Sequence, residues 1–332
     1  MYYQKRFFII FLMKKISLLI FFLIVVFALE GASGQITPPT PLGKHLGKAY
    51  KEDLPGLLKR RYIRVLTTFN KTNFYLAGPK TYGFEYSLLK EYEKYLNRKI
   101  KRRDLKVVIE FIPVRRDQLL PYLVKGYGDI AAAGLTITKE RLKTVDFTDP
   151  YLYGINEIVV VHRSITDLRR LEDLSGKKVY VRKSSSYYES LQELNRKLRS
   201  KGLRPVKIVP VDESLETEDI LEMVNSGAIK ITISDSHIAQ LWAKVLKDIR
   251  LLNHLAVRKN SKIAWAVRKD SPELKKSLNR FIKKVKKGTL LGNIYFKRYF
   301  KNTRWIKNPL GPSERAKIRR YMALFKTYGK KY

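Results

Sequence analysis

From residue 62 onward the chain alternates β-rich apolar runs with segments whose apolar residues recur at helical spacing. Residues 62–67 alternate like a first strand, and residues 85–97 set Leu88, Leu89, Tyr92, Tyr95 and Leu96 on one helical face. A strand at 106–112, a helix at 116–125 and a short apolar strand at 129–133 follow. Residues 155–162 are apolar and β-rich, placed to cross into a second lobe where the alternation resumes. There, strands at 178–182, 206–211 and 229–233 feed helices at 187–198, 218–225 and 236–246. Residues 249–255 then read as a second crossing, followed by a strand at 262–267 and helices at 272–287 and 290–299. A chain that keeps returning from helix to strand folds as α/β, around a mostly parallel sheet. No repeat at solenoid period interrupts the pattern.

Ligands of open α/β sheets sit beyond the carboxyl ends of strands, and three such ends carry suitable chemistry. The first is Gly134-Leu-Thr-Ile-Thr-Lys-Glu-Arg141, which runs on to Val145-Asp-Phe-Thr-Asp-Pro-Tyr151. It can present the Thr136 hydroxyl and the Arg141 guanidinium to one small anion. Thr138 can cap a short helical turn that carries Arg141 back toward the strand end. Arginine suits a carboxylate because its planar fork donates two parallel hydrogen bonds and keeps its charge. The same residues would also serve as a capped turn with a surface arginine. The second end is Lys183-Ser-Ser-Ser-Tyr187, where helix N–H groups and serine hydroxyls can meet an anion. The third is Asp235, whose carboxylate can pair with an ammonium group. Both of these positions also suit an ordinary helix N-cap.

Thr-Ile-Thr-x-x-Arg followed by Asp-Phe-Thr-x-Pro-Tyr resembles the signature of the family 3 periplasmic solute-binding proteins, which bind amino acids. The resemblance covers residues 55–300. Within that family the chain is most similar to the N-terminal, solute-binding-like domain of the membrane-bound lytic transglycosylase F group, through Ile231-Thr-Ile-Ser-Asp-Ser-His-Ile-Ala239 and Tyr299-Phe-Lys-Asn-Thr-Arg-Trp305. The resemblance implies a two-lobed, periplasmic-binding-protein-like (type II) fold with two crossover hinge strands. Lobe 1 would comprise residues 55–157 and 254–300, and lobe 2 residues 158–253. It implies that Thr136 and Arg141, beside Gly134, hold a ligand α-carboxylate. Ser185 or Ser186 would add donors, and Asp235 would hold the α-ammonium. Ser184 stands where the family usually has glycine. Gly83-Phe-Glu-Tyr86 resembles the family's Gly-Phe-Asp helix opening, and Phe74 and Tyr75 are candidates for an aromatic cover. Thr68 occupies a place where relatives that bind basic amino acids carry an acid, which argues against a lysine- or arginine-type ligand.

The expectation is an exported module that grips an amino acid or short peptide, with a peptidoglycan stem-peptide fragment among the candidates and a membrane transporter among the partners. The alternative is a truncated or split lytic transglycosylase F, whose binding domain regulates glycan cleavage. In that group a lysozyme-like domain follows, at about the point where this chain stops. Catalysis there uses an acid from a helical Glu-Ser motif beside the scissile bond, and no segment here matches it. The chain is expected to have no catalytic residues of its own.

The leader favours export. A basic start at Lys14 and Lys15 precedes an apolar run over 16–29 and small residues over 31–34, the pattern of a signal peptide cleaved near Gly34 or Gln35. Residues 1–12 read as an upstream extension. An uncleaved anchor is the rival, although a spanning helix needs about 20 apolar residues. Residues 35–54 read as a linker, and residues 301–332 as a basic helical tail in which Ser313 caps a turn carrying Ile318, Tyr321 and Phe325.

Formal net charge is +38. Such a field favours anionic envelope surfaces or nucleic acid, and export disfavours nucleic acid. The absence of cysteine excludes disulfides and thiolate metal sites. His45, His162, His237 and His254 lack paired metal-ligand spacing. No glycine-rich phosphate loop or nucleophile elbow is present, so no cofactor is expected.

Overall fold

The computed structural model describes residues 47–77, 79–303 and 306. The expected leader, most of the linker and the tail beyond residue 306 lie outside the described residues. No helix among the described residues is long and apolar enough to cross a membrane.

The strands are β1 (Tyr62–Thr67), β2 (Tyr75–Ala77), β3 (Lys80–Tyr82), β4 (Val108–Pro113), β5 (Ile130–Thr136), β6 (Asp146–Phe147), β7 (Leu152–His162), β8 (Lys178–Arg182), β9 (Lys207–Val211), β10 (Ile231–Asp235) and β11 (Ile249–Val267). Nine of them form one sheet in the order β4-β1-β5-β11-β7-β10-β8-β9, with β6 beside β11. At one end β4, β1 and β5 run parallel, and at the other β10, β8 and β9 do. Between them β7 and β11 run antiparallel, from Ile249↔His162 to Ile263↔Leu152. Two parallel half-sheets joined by two long antiparallel strands make a two-lobed, type II arrangement.

Residues 249–255 and 262–267 were expected to be separate strands, but β11 is continuous over 19 residues. The intervening polar stretch holds no glycine or proline, so its backbone keeps pairing, Arg258 with Glu157 and Ser261 with Ile155. The register shifts four times between Leu252 and Ile263. Such irregularities bend and twist a strand. The bend falls where the chain passes between the halves of the sheet. The β2–β3 hairpin was not anticipated from sequence.

The helices are α1 (Leu54–Arg60), α2 (Phe84–Asn97), α3 (Leu119–Lys125), α4 (Ser186–Ser200), α5 (Thr217–Asn225), α6 (Ser236–Trp242), α7 (Pro272–Val285) and α8 (Leu290–Phe296). Helix α2 buries Phe84, Leu88, Leu89 and Tyr92, and α7 buries Leu274, Leu278, Phe281, Ile282 and Val285, each at helical spacing. They meet where the Tyr92 ring lies 5.3 Å from Phe281 and its hydroxyl donates to Ser277 Oγ at 2.9 Å. Asp53 ties in the start of the domain. Its carboxylate accepts from Leu54 N at the head of α1 and from Glu273 N and Leu274 N at the head of α7. The largest apolar cluster runs from Leu57 and Ile63 through fully buried Trp265 to Trp242.

Candidate functional site

Between the half-sheets, at the carboxyl ends of β5, β8 and β10, lies a cavity of about 30 Å³. Its walls include Gly134, Thr136, Arg141, Ser185, Ser186 and Asp235, so six of the eight residues anticipated from sequence share one space.

Arg141 arrives as the motif suggested. The strand ends at Thr136, and Thr138 Oγ1 accepts from Arg141 N at 3.2 Å, opening the 3₁₀ turn Arg141–Lys143. The guanidinium then spans the lobes, with Nη1 donating to Thr136 O at 2.9 Å and Nη2 to Ser184 O at 3.0 Å. Its nearest carboxylate oxygen, on Glu189, is 3.8 Å from Nε. Burial lowers its pKa, partly offset by the Glu189 charge.

Gly134 has φ +64, and an added Cβ would come 3.2 Å from Asn73 Nδ2. Its N–H donates to Glu85 Oε2 at 2.8 Å, while Glu85 Oε1 accepts from Tyr151 at 2.6 Å and Trp265 Nε1 at 3.1 Å. The acid in the Gly-Phe-Glu opening of α2 therefore fixes the cavity wall from behind. Burial pushes the Glu85 pKa up to about 7, against those three donors.

The serines divide the work. Ser185 caps α4, since its Oγ accepts from Tyr188 N at 3.3 Å and donates to Arg182 O at 2.6 Å. Ser186, the first residue of α4, is buried on the cavity wall.

Asp235 ends β10 and precedes α6, the place of a helix cap, yet its side chain makes no capping hydrogen bond. Oδ1 is buried without a partner. Burial, and then the nearby charge of Glu157, push its pKa up to about 8.

Phe74 and Tyr75 are not brought to the cavity wall. Phe74 packs into an aromatic cluster with Phe69, Tyr86 and Phe111, and Tyr75 stacks on Tyr82 across the unanticipated hairpin. The hairpin redirects this segment, and Asn70 and Asn73 line the cavity instead. Asn70 Oδ1 shapes that turn by accepting from Thr72 N and Asn73 N.

Several cavity residues were missed. Arg116 reaches across from lobe 1 to Glu216 in front of α5, with Nη2 2.6 Å from Oε2 and Nε 3.2 Å from Oε1. Burial would raise the Glu216 pKa, but Arg116 and Arg182 outweigh it and hold the group ionised. Glu218 accepts from the Thr72 hydroxyl at 2.7 Å, again across the lobes, and burial beside Glu216 pushes its pKa up to about 7. His237 is half-buried with its Nδ1 atom buried and unpartnered, and the loss of solvent around the ring lowers its pKa to about 3. Arg182 ends β8 and Glu216 follows β9, so the strand-end rule that found Arg141 also points to them. Arg116, Arg141 and Arg182 face Glu216, Glu218 and Asp235 around the cavity.

Residues 63–302 match the model of the bacterial extracellular solute-binding proteins, family 3. A "Membrane-bound lytic murein transglycosylase F" of Desulfosudis oleivorans is 30% identical over 253 residues, which are 75% of this chain and 52% of the relative. The one from Saccharophagus degradans is 28% identical, covering 67% of this chain and 41% of the relative. The chain thus spans about half the length of the curated relatives it matches. Among solved structures, an ancestral arginine-binding protein bound to arginine superposes with a TM-score of 0.59 at 26% identity, over 73% of this chain and 99% of that one. The ancestral amino acid-binding protein AncCDT-1 gives a TM-score of 0.59 at 25% identity, over 74% and 98%. With its motif, its two-lobed fold and this match in agreement, the chain belongs to family 3 of the bacterial extracellular solute-binding proteins.

Proposed function

We propose that the chain is an exported receptor that closes its two lobes over a zwitterion, an amino acid or the end of a short peptide. Arg141 and Thr136 receive the α-carboxylate, with Ser186 adding a donor, and Asp235 receives the α-ammonium. The observation that carries this is Asp235, a buried carboxylate with one oxygen unpartnered on the wall of the cavity that Arg141 also lines. A buried ion without its counter-charge is expensive, and an ammonium group from a ligand removes that cost. The solved neighbours, an arginine-binding protein and an amino acid-binding protein, support the same chemistry.

The closed cavity has room for about two water molecules. A ligand therefore enters by parting the lobes, and the irregular middle of β11 against β7 is the hinge. Closure is a population shift, bounded by how much better the closed form binds. Titration calorimetry of the unmodified chain and Arg141→Ala with a panel of amino acids tests the reading. Heat from the parent and none from a folded variant supports it, whereas equal binding by both rejects it.

A second reading rests on the relatives' name and on the share of their length that this chain spans. In it, the receptor serves a murein-cleaving enzyme of the cell envelope and samples peptidoglycan-derived peptides. Joining the chain to such a catalytic domain and measuring glycan release with and without ligand separates this role from delivery to a transporter.

A further inference from the structure

Two of the three carboxylates on the cavity wall lack a cation. Glu216 has Arg116 at 2.6 Å. Asp235 has Oδ1 buried and unpartnered. Glu218, also buried, accepts from the neutral Thr72 hydroxyl and makes no ion pair among the described residues. A ligand with a single ammonium group neutralises only one of these two.

We infer that the ligand carries a second cationic group on its side chain, an amine or a guanidine, and that Glu218 receives it. The inference rests on the zwitterion reading and deepens it. The acid that lobe 1 lacks at Thr68 is then supplied by lobe 2, across the cleft. Thr68 itself is one of the groups touching Arg116, through Oγ1 at 3.4 Å from Nη2, so the lobe 1 wall at this point is already committed to the Arg116–Glu216 pair. Glu218 lies two residues beyond that pair, on the first turn of α5. The Thr72 hydroxyl orients its carboxylate and leaves acceptor capacity unused. Its raised pKa, near 7, is what a carboxylate waiting for a cation shows.

Matched ligand pairs test this on the full chain by titration calorimetry at pH 8. L-lysine is set against L-norleucine, which lacks only the side-chain amine. L-arginine is set against L-citrulline, which replaces the guanidinium with a neutral group. The charged member of at least one pair should bind about tenfold tighter or more, as expected for a charge-assisted contact, and the pair that responds tells an amine site from a guanidine site. Glu218→Gln should bring the two members of that pair to within about threefold. Equal affinities within both pairs in the unmodified chain, or a preference that survives Glu218→Gln, overturn the inference and leave the amino-acid reading intact. Absence of binding by any of the four ligands overturns both.

A pH series on the unmodified chain keeps the test independent of how well the variant folds. Around Glu218 stand Glu216 and Asp219 near the same helix end, Thr72 across the cleft, Arg182 from β8, Arg116 from lobe 1, and Asp235 and His237 at the next helix. Asp235 also titrates in this range, but it meets the α-ammonium of every ligand and cancels in the ratio. The lysine-to-norleucine or arginine-to-citrulline ratio should therefore fall from pH 8 to pH 5.5 as Glu218 takes up a proton. A ratio that stays constant overturns the inference.

Discussion

Asp235, at the end of β10, and Arg141, in the turn after β5, line one cavity, and neither has an opposite charge at hydrogen-bonding distance among the described residues. On the zwitterion reading proposed above, each lobe holds one half of a charge pair that the ligand completes.

Asp235→Asn should therefore trade stability against affinity. Removing the uncompensated carboxylate raises the melting temperature of the ligand-free protein at pH 8. About 1 kcal/mol moves a domain of this size by roughly 2–4 °C. The same change should weaken amino-acid binding by tenfold or more. Calorimetric melting and titration of the variant check both halves, and a variant that melts lower in the absence of ligand speaks against an uncompensated charge.

Stability should fall as pH rises from about 5 to 8. Glu85 and Glu218 have pKa values pushed up to about 7 and Asp235 to about 8, each by burial first. Over this window the folded state holds protons that the unfolded chain has already released, so raising the pH favours unfolding. His237, lowered to about 3 by burial, acts the opposite way and destabilises the fold only as pH drops below its ordinary value of 6.5. Melting curves at pH 6 and pH 8 should show the lower midpoint at pH 8, with saturating ligand shrinking the difference. A midpoint that rises toward pH 8 without ligand goes against these assignments.

Adjacent serines should respond differently. Ser185→Ala removes the cap of α4 and should cost about 1 kcal/mol of stability. Ser186→Ala leaves the cap in place, so the fold should keep its stability while ligand affinity drops. Denaturant titrations paired with calorimetry separate the two, and the opposite pattern would exchange their roles.

Glu216→Gln should be more damaging than any surface change. It leaves the part-buried Arg116 guanidinium without its counter-charge, which costs up to about 3–5 kcal/mol, the range for buried pairs. Because the pair bridges the lobes, small-angle scattering should also show a more open particle. An unchanged scattering curve would mean that the other contacts across the cleft, Lys71 to Glu222 and Thr72 to Glu218, hold it shut unaided.

The alternation of strands and helices was readable because each element keeps one period and is bounded by turn residues, as at β1 and β8, whose ends match the expected ones. The continuity of β11 was not, because its polar middle reads as a loop while its backbone still pairs. Arg141, Thr136 and Asp235 were legible through a local motif and through their places at strand ends. Glu218 was not, since an acid at the start of a helix looks like an ordinary cap until the opposite lobe brings Thr72 against it. Phe74 and Tyr75 failed as cleft aromatics because the hairpin after Asn70 gives them partners of their own.

The most direct measurement is calorimetric titration of the unmodified chain with one binding amino acid in three forms: free, N-acetylated, and as its carboxamide. The free form should bind, and blocking either end should abolish the heat, because Asp235 then meets no ammonium or Arg141 no carboxylate. Undiminished binding of the N-acetylated or amidated form would show that these two residues do not read the two ends of a zwitterion.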